Sequence, residues 1–184
     1  MIGGMVGNNS CGSHSIVYGS TRDHTIAVKM LLDDGNEYEF DPLSKTDFAS
    51  KLKLQNREGE IYRNILSILS NEENQNAIRK EFPDPSIKRR NTGYALDLLA
   101  DCNIFTDNSA NKFNFCELIA GSEGTLGIIT EIKLNLVPLP PKENALVCVH
   151  LREREEAFKA NLIALKHKPS AVAVSYTHLT LPTK

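Results

Sequence analysis

The sequence predicts an α+β fold, in which a strand hairpin and a later strand are combined with amphipathic helices. Two short apolar runs, residues 25–32 and 37–40, flank the turn sequence DDGN, which is typical of a hairpin. Apolar residues recur at helical spacing over residues 58–69, which indicates a helix facing a core. Apolar and polar residues alternate over residues 128–137, which indicates a half-buried strand.

The composition is that of a globular protein rather than a disordered one. Of 184 residues, 41% are hydrophobic and 24% are charged, and the net charge of -2 gives no argument for a nucleic-acid partner. No apolar run approaches the roughly 20 residues of a membrane span, and no signal peptide is recognised. We therefore expect a cytoplasmic location without a membrane span, and membrane association of a longer protein stays open.

The first half of the chain is predicted to begin with a loop and continue with helices. Residues 3–19 contain five glycines and few strong helix or strand formers, which favours a loop-rich entry. Helices are predicted over residues 47–54, 58–69 and 72–82, and a short helix should follow the loop that begins at residue 87.

The second half is predicted to contain an insertion, a boundary and a further unit. Residues 102–114 are polar and read as a surface insertion, and residues 115–120 as a helix or buried turn. Three prolines between positions 138 and 141 indicate a boundary. Beyond it, strands over 145–151 and 169–174 are predicted on either side of a helix over 152–166, which would begin a second α+β unit.

Two glycine-rich segments are candidate ligand-binding loops. GSEGTLG, residues 121–127, leaves backbone N–H groups free to cradle a phosphate or an adenine ring, although for the motif alone a plain tight turn into a strand is the simpler explanation. GGMVGNNSCG, residues 3–12, is not a GxGxxG fingerprint, and no strand precedes it. Asn8, Asn9 and Ser10 offer hydrogen bonds to a ligand or to the turn itself.

The remaining polar motifs carry little chemistry when each is taken alone. RNTGY, residues 90–94, reads as a loop with a helix start. His14 and His24 are isolated histidines, and a solvated or hydrogen-bonded role is a simpler interpretation of each than metal binding. The four cysteines have no zinc-site spacing, so no metal ligand is predicted.

The order of the motifs, taken together, resembles a known family. GGMVGNNSCG, YGSTRD, a strand ending in DG, RNTGYALDLL and GSEGTLGIITEIKLNLVPLP follow one another here. This succession resembles the FAD-linked oxidases of the p-cresol methylhydroxylase and vanillyl-alcohol oxidase superfamily, and within it the D-lactate dehydrogenase, glycolate oxidase and D-2-hydroxyglutarate dehydrogenase group. The resemblance covers about residues 1–173. The sequence of its first motif, GGMVGNNSCG, is similar to that of family members that carry an iron–sulfur module further along the chain.

The resemblance implies a cofactor, a reaction and a set of binding residues. FAD would lie between two α+β subdomains, of which this chain carries the second, and would take a hydride from the α-carbon of a D-2-hydroxy acid to leave a 2-oxo acid. The electron acceptor stays open, and no catalytic residue is assigned, because neither His150 nor His167 lies in the family's motif. The implied cofactor-binding residues are Gly3, Gly4, Asn8, Asn9, Ser10, Cys11, Glu123, Gly124, Thr125, Leu126, Gly127, Ile128 and Ile129.

The same resemblance divides the chain into three parts. Residues 1–141 would be a partial FAD-binding domain of the p-cresol methylhydroxylase (PCMH) type without its first subdomain, and residues 142–173 the truncated start of a cap domain. Residues 174–184 match one reading frame of a transposase sequencing adapter and are predicted to be a scar. Such a fragment is expected to bind FAD weakly or not at all by itself, and to be inactive alone. A non-catalytic flavin-binding subunit is the alternative, whereas a nicotinamide-binding Rossmann enzyme is disfavoured.

Overall fold

The architecture was determined from a computed structural model that describes residues 1–87, 90–91, 93–107 and 109–174. It divides into two compact units, the first made of Met1–Ser10 and Ser20–Leu136, the second of Cys11–Gly19 and the chain from Val137 onward. Most of the predicted adapter-derived segment, residues 175–184, lies outside the described residues. The domain boundaries drawn from the resemblance stay predictions.

Three antiparallel strands in the described ranges form one sheet in the first unit. The order is β2-β1-β3, with β1 at Thr25–Leu31, β2 at Glu37–Phe40 and β3 at Ile128–Leu134. The hairpin turn places Gly35 at φ 78°, in the left-handed region that favours glycine. On the other edge of β1 the register with β3 shifts between Lys29 and Met30, so strict alternation is lost in β3. The mixture of this sheet with helices confirms the α+β class.

Several of the helices begin with side-chain caps. Ser44 caps α4 with a capping box, and Asn56 and Asn71 accept hydrogen bonds at the starts of α5 and α6. In the described residues the helices are α1 (Ile2–Gly7), α2 (Ser15–Tyr18), α3 (Thr21–His24), α4 (Lys45–Lys51), α5 (Arg57–Leu69), α6 (Glu72–Glu81), α7 (Leu96–Ala100), α8 (Cys116–Ile119) and α9 (Arg154–Lys166). None of them is both long and apolar enough to cross a bilayer.

The core of the first unit is built around a cluster of aromatic rings. Phe113 and Phe115 pack edge to face, with ring centroids 4.9 Å apart, and both contact Tyr62 of α5. Phe48 of α4 lies 4.8 Å from the ring of Phe113. Helices α4, α5 and α8 are thereby fixed against one face of the sheet, which positions the chain that follows α8.

The predicted loop-rich entry is wrong in part, because residues 2–7 and 15–18 are helical. Glycine has a poor helix propensity, but the side chain of Val6 is fully buried, and its burial offsets the cost of ordering α1. The predicted surface insertion over residues 102–114 is wrong at its two ends. Cys102 and Phe113 are buried, and Phe113 forms a β-bridge with Leu43, whereas residues 110–112 between them are exposed.

The strands predicted over residues 145–151 and 169–174 are absent from the described part of the second unit. A strand is stable only when it pairs with another and buries a face, and residues 145–151 are exposed without such a partner. The helix between them is present as α9, with no buried residue. In the first unit, β3 ends at Leu134, three residues before the predicted end.

Candidate functional site

The two glycine-rich segments of the first unit lie side by side. The N–H of Gly121 donates to the carbonyl of Val6 at 3.0 Å, and the N–H of Glu123 donates to the carbonyl of Gly7 at 2.9 Å. These two backbone hydrogen bonds join the end of α1 to the loop of residues 121–127, which we call the glycine loop. Segments more than a hundred residues apart in sequence thus form one continuous surface.

The glycine loop presents backbone donors that the protein does not use. Glu123 and Gly124 adopt left-handed conformations, at φ 52° and 76°, and both are exposed. The N–H of Thr125 is satisfied by the carbonyl of Ser122 at 3.0 Å. Within the described residues, the N–H groups of Gly124 and Leu126 have no acceptor. An exposed loop with two such donors can bind an anionic group through its main chain.

The glycines of this surface are of two kinds. A Cβ on Gly121 would lie 2.8 Å from the carbonyl oxygen of Gly93, and one on Gly127 would lie 2.8 Å from that of Leu31, so the protein's own packing requires both glycines. Gly3 and Gly4 are different, because a Cβ on either would meet nothing within 4 Å. They lie in a helix, where glycine costs about 1 kcal/mol relative to alanine. Neither packing nor backbone conformation therefore explains them, and their open faces leave room for a ligand to approach the backbone.

The polar residues that follow α1 are held by hydrogen bonds inside the protein. Asn8 is exposed, and its amide donates to the Ser10 hydroxyl at 3.2 Å. Asn9 is buried, at 1% exposure, with φ 48°. Its Oδ1 accepts from the N–H of Arg22 at 2.8 Å, and its Nδ2 donates to Oδ1 of Asn91 at 3.1 Å. The Asn9 side chain thus fixes the backbone after α1 to two other segments.

Arg22 is the buried centre on which these segments converge. Its guanidinium donates to the carbonyl of Gly93 at 2.5 Å and to the carbonyl of Ala120, the residue before the glycine loop. Burial lowers the pKa of Arg22, and neighbouring carboxylates, chiefly Glu117, oppose that shift. Because the guanidinium of Arg22 is charged, its hydrogen bonds to these two carbonyls are strong, and they hold the start of the glycine loop and the RNTGY segment in one arrangement.

Acidic groups compensate the charge of Arg22 beneath the surface. Burial raises the pKa of Glu117 to about 7, while Arg22 lowers it and the charges of Asp23 and Asp97 raise it further. Asp97 also forms a partly buried ion pair with Arg90. A cavity of about 80 Å³ is lined in part by Arg22, Asp23, Arg90 and Asp97. This cluster stabilises the scaffold under the glycine loop.

A chain of hydroxyl groups links RNTGY to the glycine loop. The Thr125 hydroxyl donates to the carbonyl of Ser122 at 2.6 Å, and the hydroxyl of Tyr94 contacts the same Thr125 oxygen. Tyr94 is 41% exposed, whereas Ser122 is buried. An exposed aromatic side chain therefore holds the loop at the point where its unused donors occur.

An apolar groove borders the outer end of the glycine loop. Its volume is about 340 Å³, and Thr125 and Leu126 form one edge of it. At its rim, Arg57 is paired with Asp33 and Glu60. The rest of its lining consists of Met30, Leu32, Phe40, Ile61, Phe115, Leu118 and Ile119.

The remaining predicted site residues are less closely grouped. Ile128, the first residue of β3, is 66% exposed, while Ile129 packs on the core and pairs with Met30. Cys11 is partly exposed and belongs to the second unit. Among residues 1–87, 90–91, 93–107 and 109–174, no group of three His, Cys, Asp or Glu side chains could hold a metal ion.

Sequence reasoning did not identify Arg22, Glu117 and Tyr94 as part of this surface. The motifs YGSTRD and RNTGY contain two of them and were recognised, but nothing in either motif shows which side chain turns inward. Glu117 lies in an apolar run that predicts only burial. A carboxylate in such a run, together with an arginine elsewhere, is the signal that could have suggested a buried charge cluster.

Comparison with known proteins found similarity to proteins named D-2-hydroxyglutarate dehydrogenase. The chain is 30% identical over 171 residues to the one from Pseudomonas putida, a match covering 93% of this chain and 16% of that protein. It is 31% identical over 139 residues to the one from Pantoea ananatis, covering 76% of this chain and 13% of that protein. For the one from Escherichia coli the identity is 32% over 159 residues, covering 86% and 14%.

These similarities support the part of the sequence resemblance that concerns the D-2-hydroxyglutarate dehydrogenase group. The chain spans only 13% to 17% of the length of the curated relatives it matches. No family model matches the chain, and no solved structure matches it significantly.

Proposed function

We propose that this chain is part of an FAD-linked dehydrogenase that oxidises a D-2-hydroxy acid of the D-2-hydroxyglutarate class, and that it forms one wall of the flavin site. The observation that carries the proposal is the joining of α1 to the glycine loop through Val6, Gly7, Gly121 and Glu123. Relatives named D-2-hydroxyglutarate dehydrogenase match most of the chain, which supports the substrate class. In this proposal the first unit corresponds to the second subdomain of a PCMH-type flavin domain.

The residues present fit a dinucleotide with a pyrophosphate. Gly3 and Gly4 leave open space beside the backbone of α1, so a bulky planar group can approach it closely. The free N–H groups of Gly124 and Leu126 can donate to phosphate oxygens without a charged side chain. Arg22, buried below, holds the carbonyl that precedes the loop.

FAD, when bound, would supply the chemistry by accepting a hydride from the α-carbon of the hydroxy acid, and the hydroxyl group would lose its proton, which leaves a 2-oxo acid. The described residues of this chain contribute binding and orientation. Glu117 does not act as a base in this proposal, because it is held in the scaffold under the glycine loop, where burial raises its pKa and Arg22 opposes that shift. Substrate recognition is assigned to parts of a longer protein.

The test is to express the whole reading frame that encodes this chain and to assay it with an artificial electron acceptor. We expect a yellow protein that oxidises D-2-hydroxyglutarate, with D-lactate and glycolate as competing substrates and L-2-hydroxyglutarate as the stereochemical control. Bound flavin without oxidation of any D-2-hydroxy acid would overturn the catalytic part and favour a flavin-binding subunit. Oxidation of the substrate by a protein that contains no flavin would show that FAD is not the cofactor.

A further inference from the structure

The hydroxyl of Tyr94 is a donor whose direction is fixed by its partner. The Thr125 hydroxyl has one proton, which is given to the carbonyl of Ser122 at 2.6 Å. It can therefore only accept from Tyr94, so the chain of hydrogen bonds runs from Tyr94 through Thr125 to Ser122. The Thr125 N–H donates to the same carbonyl at 3.0 Å, so Thr125 closes the turn with two bonds.

The backbone beneath Tyr94 is firmly held. The carbonyl of the preceding residue, Gly93, accepts from the guanidinium of Arg22, which is 5% exposed. The same carbonyl oxygen would lie 2.8 Å from a Cβ on Gly121, so it is packed closely against the start of the glycine loop. Tyr94 thus extends from an anchored backbone to the exposed end of the loop.

From this geometry we infer that Tyr94 is a positioning residue, whose hydroxyl holds Thr125 so that the glycine loop keeps its binding conformation. The inference deepens the proposed function and rests on it for the identity of the ligand. Tyr94 is 41% exposed, so loss of its contact with Thr125 should favour local opening of the loop rather than unfolding of the whole chain. Its effect is local, at the segment that carries the unused N–H groups of Gly124 and Leu126.

The first experiment measures amide hydrogen exchange in the flavin-free chain with Tyr94→Phe. We expect the Thr125 amide to exchange about five- to tenfold faster, the factor for one net hydrogen bond, while amides of β1 stay unchanged. Tyr38→Phe is the matched control, because Tyr38 also donates to a turn residue, Asp34, at 2.6 Å. Unchanged exchange at Thr125, or equal acceleration in Tyr38→Phe, would overturn the inference.

Substitutions at Thr125 separate positioning from a general loss of stability. Thr125→Val removes the acceptor and also the hydroxyl bond to Ser122, so it should accelerate exchange at least as much as Tyr94→Phe, and adding Tyr94→Phe to it should change nothing further. Thr125→Ser keeps the hydroxyl and should restore the exchange rate of the parent chain. Additive effects, or failure of the serine to restore the rate, would contradict a coupled pair.

The flavin measurement uses the protein expressed from the whole reading frame. Tyr94→Phe should weaken FAD binding by a factor of about five to ten. Thr125→Val should weaken it by at least as much, whereas Tyr38→Phe should leave it unchanged. If the parent protein bound no flavin, the proposed cofactor would be wrong, and the exchange measurements would still decide whether Tyr94 holds the loop. If it bound flavin equally with and without the Tyr94 hydroxyl, the positioning role would be wrong.

Discussion

Gly3 and Gly4 are residues whose identity the surrounding protein does not explain. Each lies in α1 with nothing within 4 Å of the position a Cβ would occupy. Replacing a helical glycine by alanine reduces the entropy lost on folding. A glycine retained for a ligand should therefore be costly for stability and useful for binding, and the two effects can be measured separately.

Gly4→Ala should raise the free energy of unfolding of the flavin-free chain by about 0.5–1 kcal/mol, because alanine favours the helix. In the protein expressed from the whole reading frame it should weaken FAD binding, since the methyl group occupies the open face. Denaturant unfolding and flavin titration measure the two quantities. Gly35→Ala is the control, because Gly35 also faces open space but has φ 78° in the hairpin turn.

The control should lose about 1 kcal/mol of stability, because alanine is strained in the left-handed region, and should leave FAD binding unchanged. A Gly4→Ala protein that binds FAD as tightly as its parent would show that the ligand does not approach this part of α1.

Glu117 gives the fold a pH dependence with a definite sign. Its pKa in the folded protein is raised to about 7, from an ordinary value of 4.5, mainly by burial. The folded state therefore binds this proton more tightly than the unfolded state, and the free energy of unfolding should fall as the pH rises from about 5 to 7. The expected loss of unfolding free energy is on the order of 2 kcal/mol. This is less than the full pKa shift would give, because Glu117 is only partly buried and water screens its charge.

Glu117→Gln should remove most of that slope between pH 5 and 7, because glutamine does not titrate. Urea unfolding at several pH values measures the slope. Glu73→Gln, on the exposed surface of α6, is the matched control and should leave the slope unchanged. A slope that survives in Glu117→Gln would assign the pH dependence to another group.

At the scale of elements, α5 crosses the preceding loop so closely that only glycine fits at position 59. A Cβ on Gly59 would lie 2.1 Å from the carbonyl oxygen of Leu54. Arg63, one turn later, donates to the carbonyls of Leu52 and Leu54 at 2.9 and 2.7 Å, so the loop is tied to the helix and cannot easily move away.

Gly59→Ala should therefore lower the free energy of unfolding by about 1–3 kcal/mol, even though alanine is the better helix former. Thermal or urea unfolding tests this, with Ser67→Ala on the exposed face of α5 as the control. An alanine at 59 that stabilises the protein would show that the loop moves away from the helix.

The sequence predicted the elements whose cause is local. The hairpin was placed with β2 at its observed bounds, because the turn sequence DDGN and the strand alternation both act over a few residues. The helix α5 followed from its apolar spacing and ends as predicted at Leu69. The glycine loop was recognised as a candidate from its composition, and its role in binding stays a prediction.

What the sequence could not predict depends on distant contacts. Phe113 lies in a polar run, and only the aromatic cluster of the folded chain explains its burial. The contact of Arg22 with Ala120 joins residues 98 positions apart, which no local pattern encodes. The strand predicted over residues 145–151 failed for the same reason, because strand formation requires a partner that local alternation does not supply.

At the scale of the whole molecule, the described buried apolar side chains all belong to the first unit. They run from Val6 to Ala120, and none lies in the described part of the second unit. Phe158, Leu162 and Ile163 of α9 are 55%, 64% and 59% exposed. Since burial of apolar area is the main favourable term in folding, the stability of this chain should come from the first unit.

Two leucines in helices of equal length test this distribution. Leu69→Ala in α5, at a fully buried site, should lower the free energy of unfolding by about 2–5 kcal/mol, whereas Leu162→Ala in α9 should change it by about 0.5 kcal/mol or less. Denaturant unfolding of the 184-residue chain measures both. Equal losses would mean that α9 buries Leu162 in solution.

The same pair of substitutions also tests the predicted cap domain. If residues 142–173 begin a larger domain, as the resemblance implies, the apolar side chains of α9 should be covered in the protein expressed from the whole reading frame. Leu162→Ala should then cost about 2–5 kcal/mol there, while its effect in the 184-residue chain stays small. An effect that is small in both proteins would show that the longer polypeptide leaves this side of α9 in water, and the cap assignment of residues 142–173 would be wrong.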